Sequence, residues 1–167
     1  MINIRLLNEH DAIAYKEKRI EALQIHPEVF SSSVEEELDY SLEVHASRLR
    51  ASNAYTFGAF EKDKLVGVVT LVIEMKRKLM HRSDIFAMYV TPEVRRLGVG
   101  KQLMEAAIAQ AKELDEVEQV YLTVSTNNTA AKKLYESVGF EIIGSDPRSM
   151  KIGNKYIGEE MMALYLK

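Results

Sequence analysis

Met88-Tyr89-Val90-Thr91-Pro92-Glu93-Val94-Arg95-Arg96-Leu97-Gly98-Val99-Gly100-Lys101 is the stretch that decides how this chain is read. Upstream, Asp84 to Val90 is a strand-like run that Thr91-Pro92 ends. Downstream, Gly98 to Leu114 reads as a helix with Leu103, Ala107, Ile108, Ala111 and Leu114 on one side. Glycines and cations therefore meet where a strand turns into a helix. Glycine lets backbone N–H groups approach a ligand closely. A helix start adds unpaired donors and the positive end of the dipole. With Arg95, Arg96 and Lys101 beside them, these features predict a phosphate cradle. Two familiar cradles fail on counting. A P-loop needs glycine and a hydroxyl residue where this chain has Arg95 and Gln102, and a dinucleotide fingerprint needs glycine where it has Leu103. A generic nucleotide-binding protein is therefore disfavoured.

Working outward, Ile2 to Leu7 reads as a short strand, and Asn8 to Gln24 as a helix with Ile13, Ile20 and Leu23 at helical spacing, closed by Pro27. Ser33 with Glu36 fits a capping box, and Val34, Leu38, Leu42 and Leu49 extend an apolar stripe, predicting one helix to about Arg50. Tyr55 to Phe60 and Leu65 to Ile73 flank a polar hairpin turn, and Val120 to Val124 is a further strand. Thr129 to Val138 is a short helix, with Phe140 to Ile143 and Met161 to Leu166 as closing strands. The order predicts an α/β fold with a sheet of mixed direction. The units Asp84–Val124 and Val120–Ile143 make part of that sheet parallel.

Composition narrows the classes. The chain has 167 residues, and folding buries roughly 70% of the surface of a chain this long, so one domain spanning 1–167 is expected. There is no cysteine, which excludes disulfides, thiolate metal sites and a cysteine nucleophile; no metal is expected. The net charge of −3 argues against nucleic acid as a partner. The N-terminus soon meets charge, and no run of apolar residues is long enough for a membrane span. A cytoplasmic protein with no membrane partner is expected.

The segment around Arg95, Gly98 and Gly100 resembles the Q/R-x-x-G-x-G/A signature of the GCN5-related N-acetyltransferase (GNAT) family. A second block, Asn128-Thr129-Ala130-Ala131-Lys132-Lys133-Leu134-Tyr135 followed by Gly139-Phe140, is similar to that family's N-x-x-A-x-x-L-Y-x-x-x-G-F. The order of elements agrees across nearly the whole chain. The resemblance implies a centrally splayed mixed sheet flanked by helices, with acetyl-CoA as co-substrate. It places the pantetheine arm in the splay, against backbone groups of Met88 and Val90. The pyrophosphate falls to Arg95, Arg96, Leu97, Gly98, Val99, Gly100 and Lys101. An N–H aimed at the thioester oxygen would stabilise the oxyanion.

Asn128 and Tyr135 lie about two turns apart on one helix face. Asn128 either caps its helix or binds pantetheine. Tyr135 is the expected acid for the leaving thiolate, the alternative being a core tyrosine packed on Phe140. The base is open among Asp84, Glu74, His81 and water; Asp84 is read as sharing a strand face with Met88.

The expected activity is transfer of acetyl from acetyl-CoA to a primary amine by direct attack in a ternary complex. The acceptor is a small-molecule amine or a protein amino group. The alternative is a catalytically silent acetyl-CoA sensor. The acidic side chains Glu28, Glu35, Glu36, Glu37, Asp39 and Glu43 either attract a cationic acceptor or form an acidic helix start. Phe30 and Tyr40 are candidate pocket or core residues. The basic run Lys76-Arg77-Lys78 with Arg82 is either a solvated hairpin tip or a phosphate contact. Exposed strand edges permit pairing into a homodimer.

Overall fold

The computed structural model describes Met1–Lys167. Its elements in chain order are β1 (Ile2–Leu6), α1 (Ala12–Ile25), α2 (Val34–Asp39), α3 (Leu42–Arg50), β2 (Ala54–Glu61), β3 (Lys64–Ile73) and β4 (Arg82–Val90). Then follow α4 (Val99–Glu113), β5 (Gln119–Ser125), α5 (Thr129–Ser137), β6 (Glu141–Ile152) and β7 (Lys155–Tyr165). The strands form one sheet in the order β1-β2-β3-β4-β5-β7-β6. The mixed α/β sheet predicted above is what the chain forms. Its only parallel pair is β4 with β5. The second β-α-β unit does not bring β6 beside β5, because β7 inserts between them and pairs antiparallel with both.

Two cores sit on opposite faces of the sheet. Under α4, Leu103, Met104, Ala107 and Ala111 pack with Val120, Leu122 and Met162, all nearly inaccessible. Burying a side chain the size of Leu103 or Met104 contributes about 1.5–3 kcal/mol. Under α1, Tyr15, Ala22 and Leu23 pack with Phe30, Leu65, Val68 and Tyr89. A polar knot ties α1 to the far end of β4. The Tyr89 hydroxyl donates to Glu21 at 2.8 Å and Thr91 Oγ1 donates to Glu21 at 3.0 Å, while Lys18 donates to Thr91 at 2.8 Å and to Glu21 at 3.0 Å.

The first helical region departs from its periodicity in two ways. The predicted helix from Asn8 is a 3₁₀ turn at Glu9–Asp11, capped by Asn8, leading into α1. Its expected stripe forms only in part. Leu23 is buried as expected and Ile20 half-buried, but Ile13 is 60% exposed, and the inward face also carries Tyr15, Lys18, Arg19 and Ala22. The predicted single helix from Ser33 to Arg50 is two. The Ser33–Glu36 capping box forms as read, but Tyr40 is extended and Ser41 caps a new helix by accepting from the Val44 N–H at 3.4 Å. Leu38 and Leu42, expected inside, are exposed, while Glu37 and His45 are fully buried. Residues eight apart on one continuous helix are separated by about 12 Å along its axis. The break at Tyr40 lets His45 Nε2 come within 3.5 Å of Glu37 Oε2.

The closing hairpin is longer than its apolar ends suggest. β6 runs through Gly144-Ser145-Asp146-Pro147-Arg148-Ser149, a polar stretch holding a proline, because it is the edge of the sheet. An edge strand tolerates a missing N–H and a solvated face. The register shifts between Asp146 and Met150, beside Pro147.

Candidate active site

β4 and β5 pair over only three positions, Arg82 with Gln119, Ser83 with Val120 and Asp84 with Tyr121. Both strands then continue, β4 to Val90 and β5 to Ser125, without pairing to each other. The parting opens a cavity of about 620 Å³ between them. Ile85, Phe86, Ala87 and Met88 line one side, and Leu122, Thr123, Val124 and Ser125 the other. Asn128 and Tyr135 of α5 close one end; Tyr15, Arg19, Phe30 and Arg48 face in from the helical layer.

A bulge shapes this wall. Val68 pairs with Tyr89 and Thr70 with Phe86, so Ala87 and Met88 together oppose Val69. Ala87 takes φ 56°, a conformation that costs a non-glycine residue about 1–3 kcal/mol. The extra residue changes which face each side chain meets. Met88 and Val90 pack on the α4 side. Ile85 also packs there, which sends Asp84 to the opposite face, so the expected shared face of Asp84 and Met88 does not occur.

The turn expected to form the cradle lies beside this cavity, Gly100 against the cavity-lining Met88. Gly98 precedes α4 at φ +79°, in the left-handed region that favours glycine. A Cβ on Gly100 would sit 3.1 Å from both Leu134 Cδ2 and Met88 Cε, so the strand and α5 close directly on this turn. Ser33, Ser41 and Asn128 cap α2, α3 and α5, whereas no side chain caps α4. The N–H groups of Gly100 and Lys101 donate to no carbonyl. Orphan first-turn donors of this kind are what a pyrophosphate requires, so these residues fit the group that the sequence implies. Arg95 turns back, its Nε donating to Val90 O at 2.9 Å, and pins the loop to the end of β4. Arg96 is exposed at φ 67°.

Tyr135 is 7% exposed and meets Phe140 edge-on at 6.2 Å between centroids. Its hydroxyl has no partner within the protein, though its ring lines the cavity. Burial pushes the phenol up to about 12. Asn128 does both things considered for it. Its Oδ1 accepts from Ala131 N–H at 3.1 Å, and the residue also lines the cavity with its amide donors free.

Glu28 and Glu159 are the carboxylates that line the cavity; the expected bases Asp84, Glu74 and His81 do not line it. Asp84 lies in the paired part of β4, its carboxyl raised by burial and then by Glu74, against a smaller opposing effect of Arg82. The acidic zone is largely spoken for. Glu37 is buried on Arg19, Glu36 closes a capping box and Glu43 pairs with Arg50. Phe30 lines the cavity, while Tyr40 instead stands over Arg48 at 5.0 Å.

Sequence reasoning missed Arg19, Arg48, Phe86, Thr123 and Glu159. One signal was available for Arg19. A charged residue one turn from Tyr15 and from Leu23 interrupts an apolar stripe. The others are assembled by tertiary contact alone.

The model of the acetyltransferase (GNAT) family matches residues 19–140. The chain belongs to the GNAT family. A GNAT acetyltransferase from Streptococcus pneumoniae superposes with a TM-score of 0.88 at 25% identity, covering 99% of each chain. An N-alpha-acetyltransferase of Sulfurisphaera tokodaii is 35% identical over 38% of this chain and 38% of its own. An L-amino acid N-acetyltransferase of Escherichia coli is 28% identical over 59% of this chain and 60% of its own. The matched part thus spans from about two fifths to three fifths of these curated relatives. The parted β4–β5 pair and the uncapped α4 start are the GNAT features expected from the two sequence blocks.

Proposed function

We propose that this GNAT protein transfers the acetyl group of acetyl-CoA to a primary amine by direct attack within a ternary complex. The observation that carries the reading is the junction of an uncapped helix start with a parted strand pair beneath Tyr135. The amides of Leu97 to Lys101 hold the pyrophosphate, with Arg95 fixing the loop and Arg96 and Lys101 adding charge. The unpaired edge of β4 at Met88 and Val90 binds the amides of the pantetheine arm. Bound there, acetyl-CoA supplies an acetyl thioester.

The acceptor nitrogen bonds to the acetyl carbon, the carbon–sulfur bond breaks, and the sulfur leaves as a thiolate that must gain a proton. Tyr135, which lines the cavity, is assigned to that end of the reaction in this proposal. A phenol at about 12 stays protonated throughout the neutral range. Full transfer of its proton to a thiolate near 8.5 is uphill by about 5 kcal/mol. Tyr135 therefore acts by donating a hydrogen bond to sulfur as charge develops, with the proton arriving from the ammonium formed by attack. The acceptor arrives as an ammonium, and the proton it sheds before attack leaves toward the carboxylates on the cavity wall, Glu28 or Glu159, directly or through water; the second proton, lost by the nitrogen after attack, is the one that reaches the sulfur.

Release of free thiol from acetyl-CoA, measured across a panel of amines, tests the reading. Turnover with at least one amine class is expected. Tight acetyl-CoA binding with no turnover for any amine would establish the sensor instead.

A further inference from the structure

The acceptor half of the cavity contains a group that the reaction described above does not use. Arg48, near the end of α3, lines the cavity and makes no hydrogen bond. Its Nη1 is enclosed on the Glu37 side, 3.5 Å from Oε1, whereas Nε and Nη2 are not enclosed and donate to no group of the protein. That carboxylate oxygen is already committed. It accepts from Arg19 Nε at 3.1 Å, Arg19 Nη2 at 2.7 Å and Ser32 Oγ at 2.7 Å. Two guanidinium groups thus share one carboxylate. His45, buried beside them, is held below its ordinary range by burial, against the pull of Glu37, and adds no charge at neutral pH. The cluster carries one positive charge in excess; both arginines line the cavity, but every Arg19 nitrogen donates to Glu37 or Tyr15, whereas the Arg48 side chain donates to nothing.

Arg48 is also held in place. Tyr40 lies against its guanidinium at 5.0 Å, an arrangement that fixes the plane of the fork. A planar fork with unused donors matches a carboxylate in two-point geometry. Opposite charge is available in the same cavity from Glu28 and Glu159. Between them lies apolar wall, including Phe86, which is 55% exposed although it sits on a central strand.

We propose that Arg48 anchors a carboxylate of the acceptor, and that the acceptor is a free amino acid with an apolar side chain. This rests on the acetyltransferase reading, and it chooses between the two acceptor classes represented among the relatives. The amine faces the thioester, the side chain lies against Phe30, Val72 and Phe86, and the carboxylate completes the bonding of Arg48.

The test compares matched acceptors: apolar L-amino acids, their amides, and dipeptides sharing the same first residue. Thiol release is measured for wild type, Arg48→Met and Arg48→Lys. In wild type, kcat/KM for the free amino acid should exceed that for its amide by about 10- to 100-fold, the range of one charge-assisted contact. Arg48→Met should collapse that ratio to within about threefold of unity, and Arg48→Lys should restore part of it. A second readout does not need turnover. Calorimetry of an N-acetyl amino acid and its amide against the CoA-loaded protein should show the same preference and its loss in Arg48→Met, with CoA affinity unchanged. Equal kcat/KM for acid and amide, preference for the dipeptides, or equal losses on both ligands in Arg48→Met would each overturn the anchor. Acetylation of amines without carboxylate preference would leave the transferase standing and remove the anchor. Arg48-dependent binding with no turnover would do the reverse.

Discussion

Replacing Glu37 by glutamine removes the one negative charge that holds two arginines against the cavity. The glutamine is isosteric and still offers an oxygen to Arg19, so packing is kept and charge alone is lost. Glu37 is fully buried, and burial by itself would raise its carboxyl. Hydrogen bonds from Arg19 and Ser32, and the charges of Arg19 and Arg48, outweigh burial and bring it down from 4.5 to about 2. A difference of that size corresponds to about 3 kcal/mol of stability. The folded form binds its proton less readily than the unfolded form. The contribution is therefore complete above about pH 4.5 and is lost as pH falls toward about 2. At pH 7, Glu37→Gln should be less stable than wild type by about 3 kcal/mol, within the 3–5 kcal/mol seen when one partner of a buried ion pair is removed. Urea unfolding at pH 7, 5, 4 and 3 provides the measurement. The gap between the two proteins should hold from pH 7 to 5 and then shrink by more than half by pH 3. A gap under about 1 kcal/mol at neutral pH, or one that does not change with pH, would refute the account of this cluster. Freed arginines should also shift, so KM for the acceptor should rise more than KM for acetyl-CoA.

Three further outcomes follow from the site. Tyr135→Phe should lower kcat by about 10- to 100-fold while leaving acetyl-CoA affinity within about twofold, since only a hydrogen bond to the leaving sulfur is removed; normal turnover would make the residue structural. Gly100→Val should weaken acetyl-CoA binding by calorimetry by at least about tenfold. Its side chain enters a space where even Cβ lies 3.1 Å from Leu134 and Met88 and where the pyrophosphate must approach backbone, and wild-type affinity would sink the cradle. Asp84→Asn should leave the pH dependence of kcat/KM unchanged, because Asp84 does not line the cavity; loss of activity concentrated at low pH would restore it as the base.

How much was legible depends on whether a feature is local in the chain. The glycine turn between β4 and α4 was, because its requirements lie within a few residues: a left-handed conformation at Gly98 and close packing at Gly100. The α4 stripe was as well, since Leu103, Ala107, Ile108 and Ala111 bury a continuous apolar face. The helical layer was not, and for one reason. Apolar periodicity assumes that the inward face is apolar, whereas here Arg19, Glu37 and His45 occupy it, Arg19 paired with Glu37 at 2.7 Å and His45 buried beside them. Leu38 and Leu42 were then assigned to the wrong side. The length of β6 was hidden for a similar reason: an edge strand has no need of the alternation that marks an interior one.

The bulge at Ala87 shows why the site's acceptor half could not be read from the strand that builds it. Strict alternation from Asp84 would place Phe86 and Met88 together on one face and Ile85 on the other. One extra residue against Val69 breaks the alternation midway. Before it, Ile85 faces α4 and Phe86 faces the helical layer; after it, Met88 and Val90 face α4 again. One strand thereby gives side chains to both halves of the cavity, Met88 toward the cradle and Phe86 toward Arg48. Bulges of this kind re-aim side chains beside active sites. Nothing in Phe86-Ala87-Met88 marks such a position, because alanine at positive φ is costly and is sustained only by pairing on either side of it. The parted strands and the bulge are therefore coupled. Without a β5 partner past Asp84, β4 is free to accommodate the extra residue, and with it the cavity gains an acceptor wall distinct from its cofactor wall.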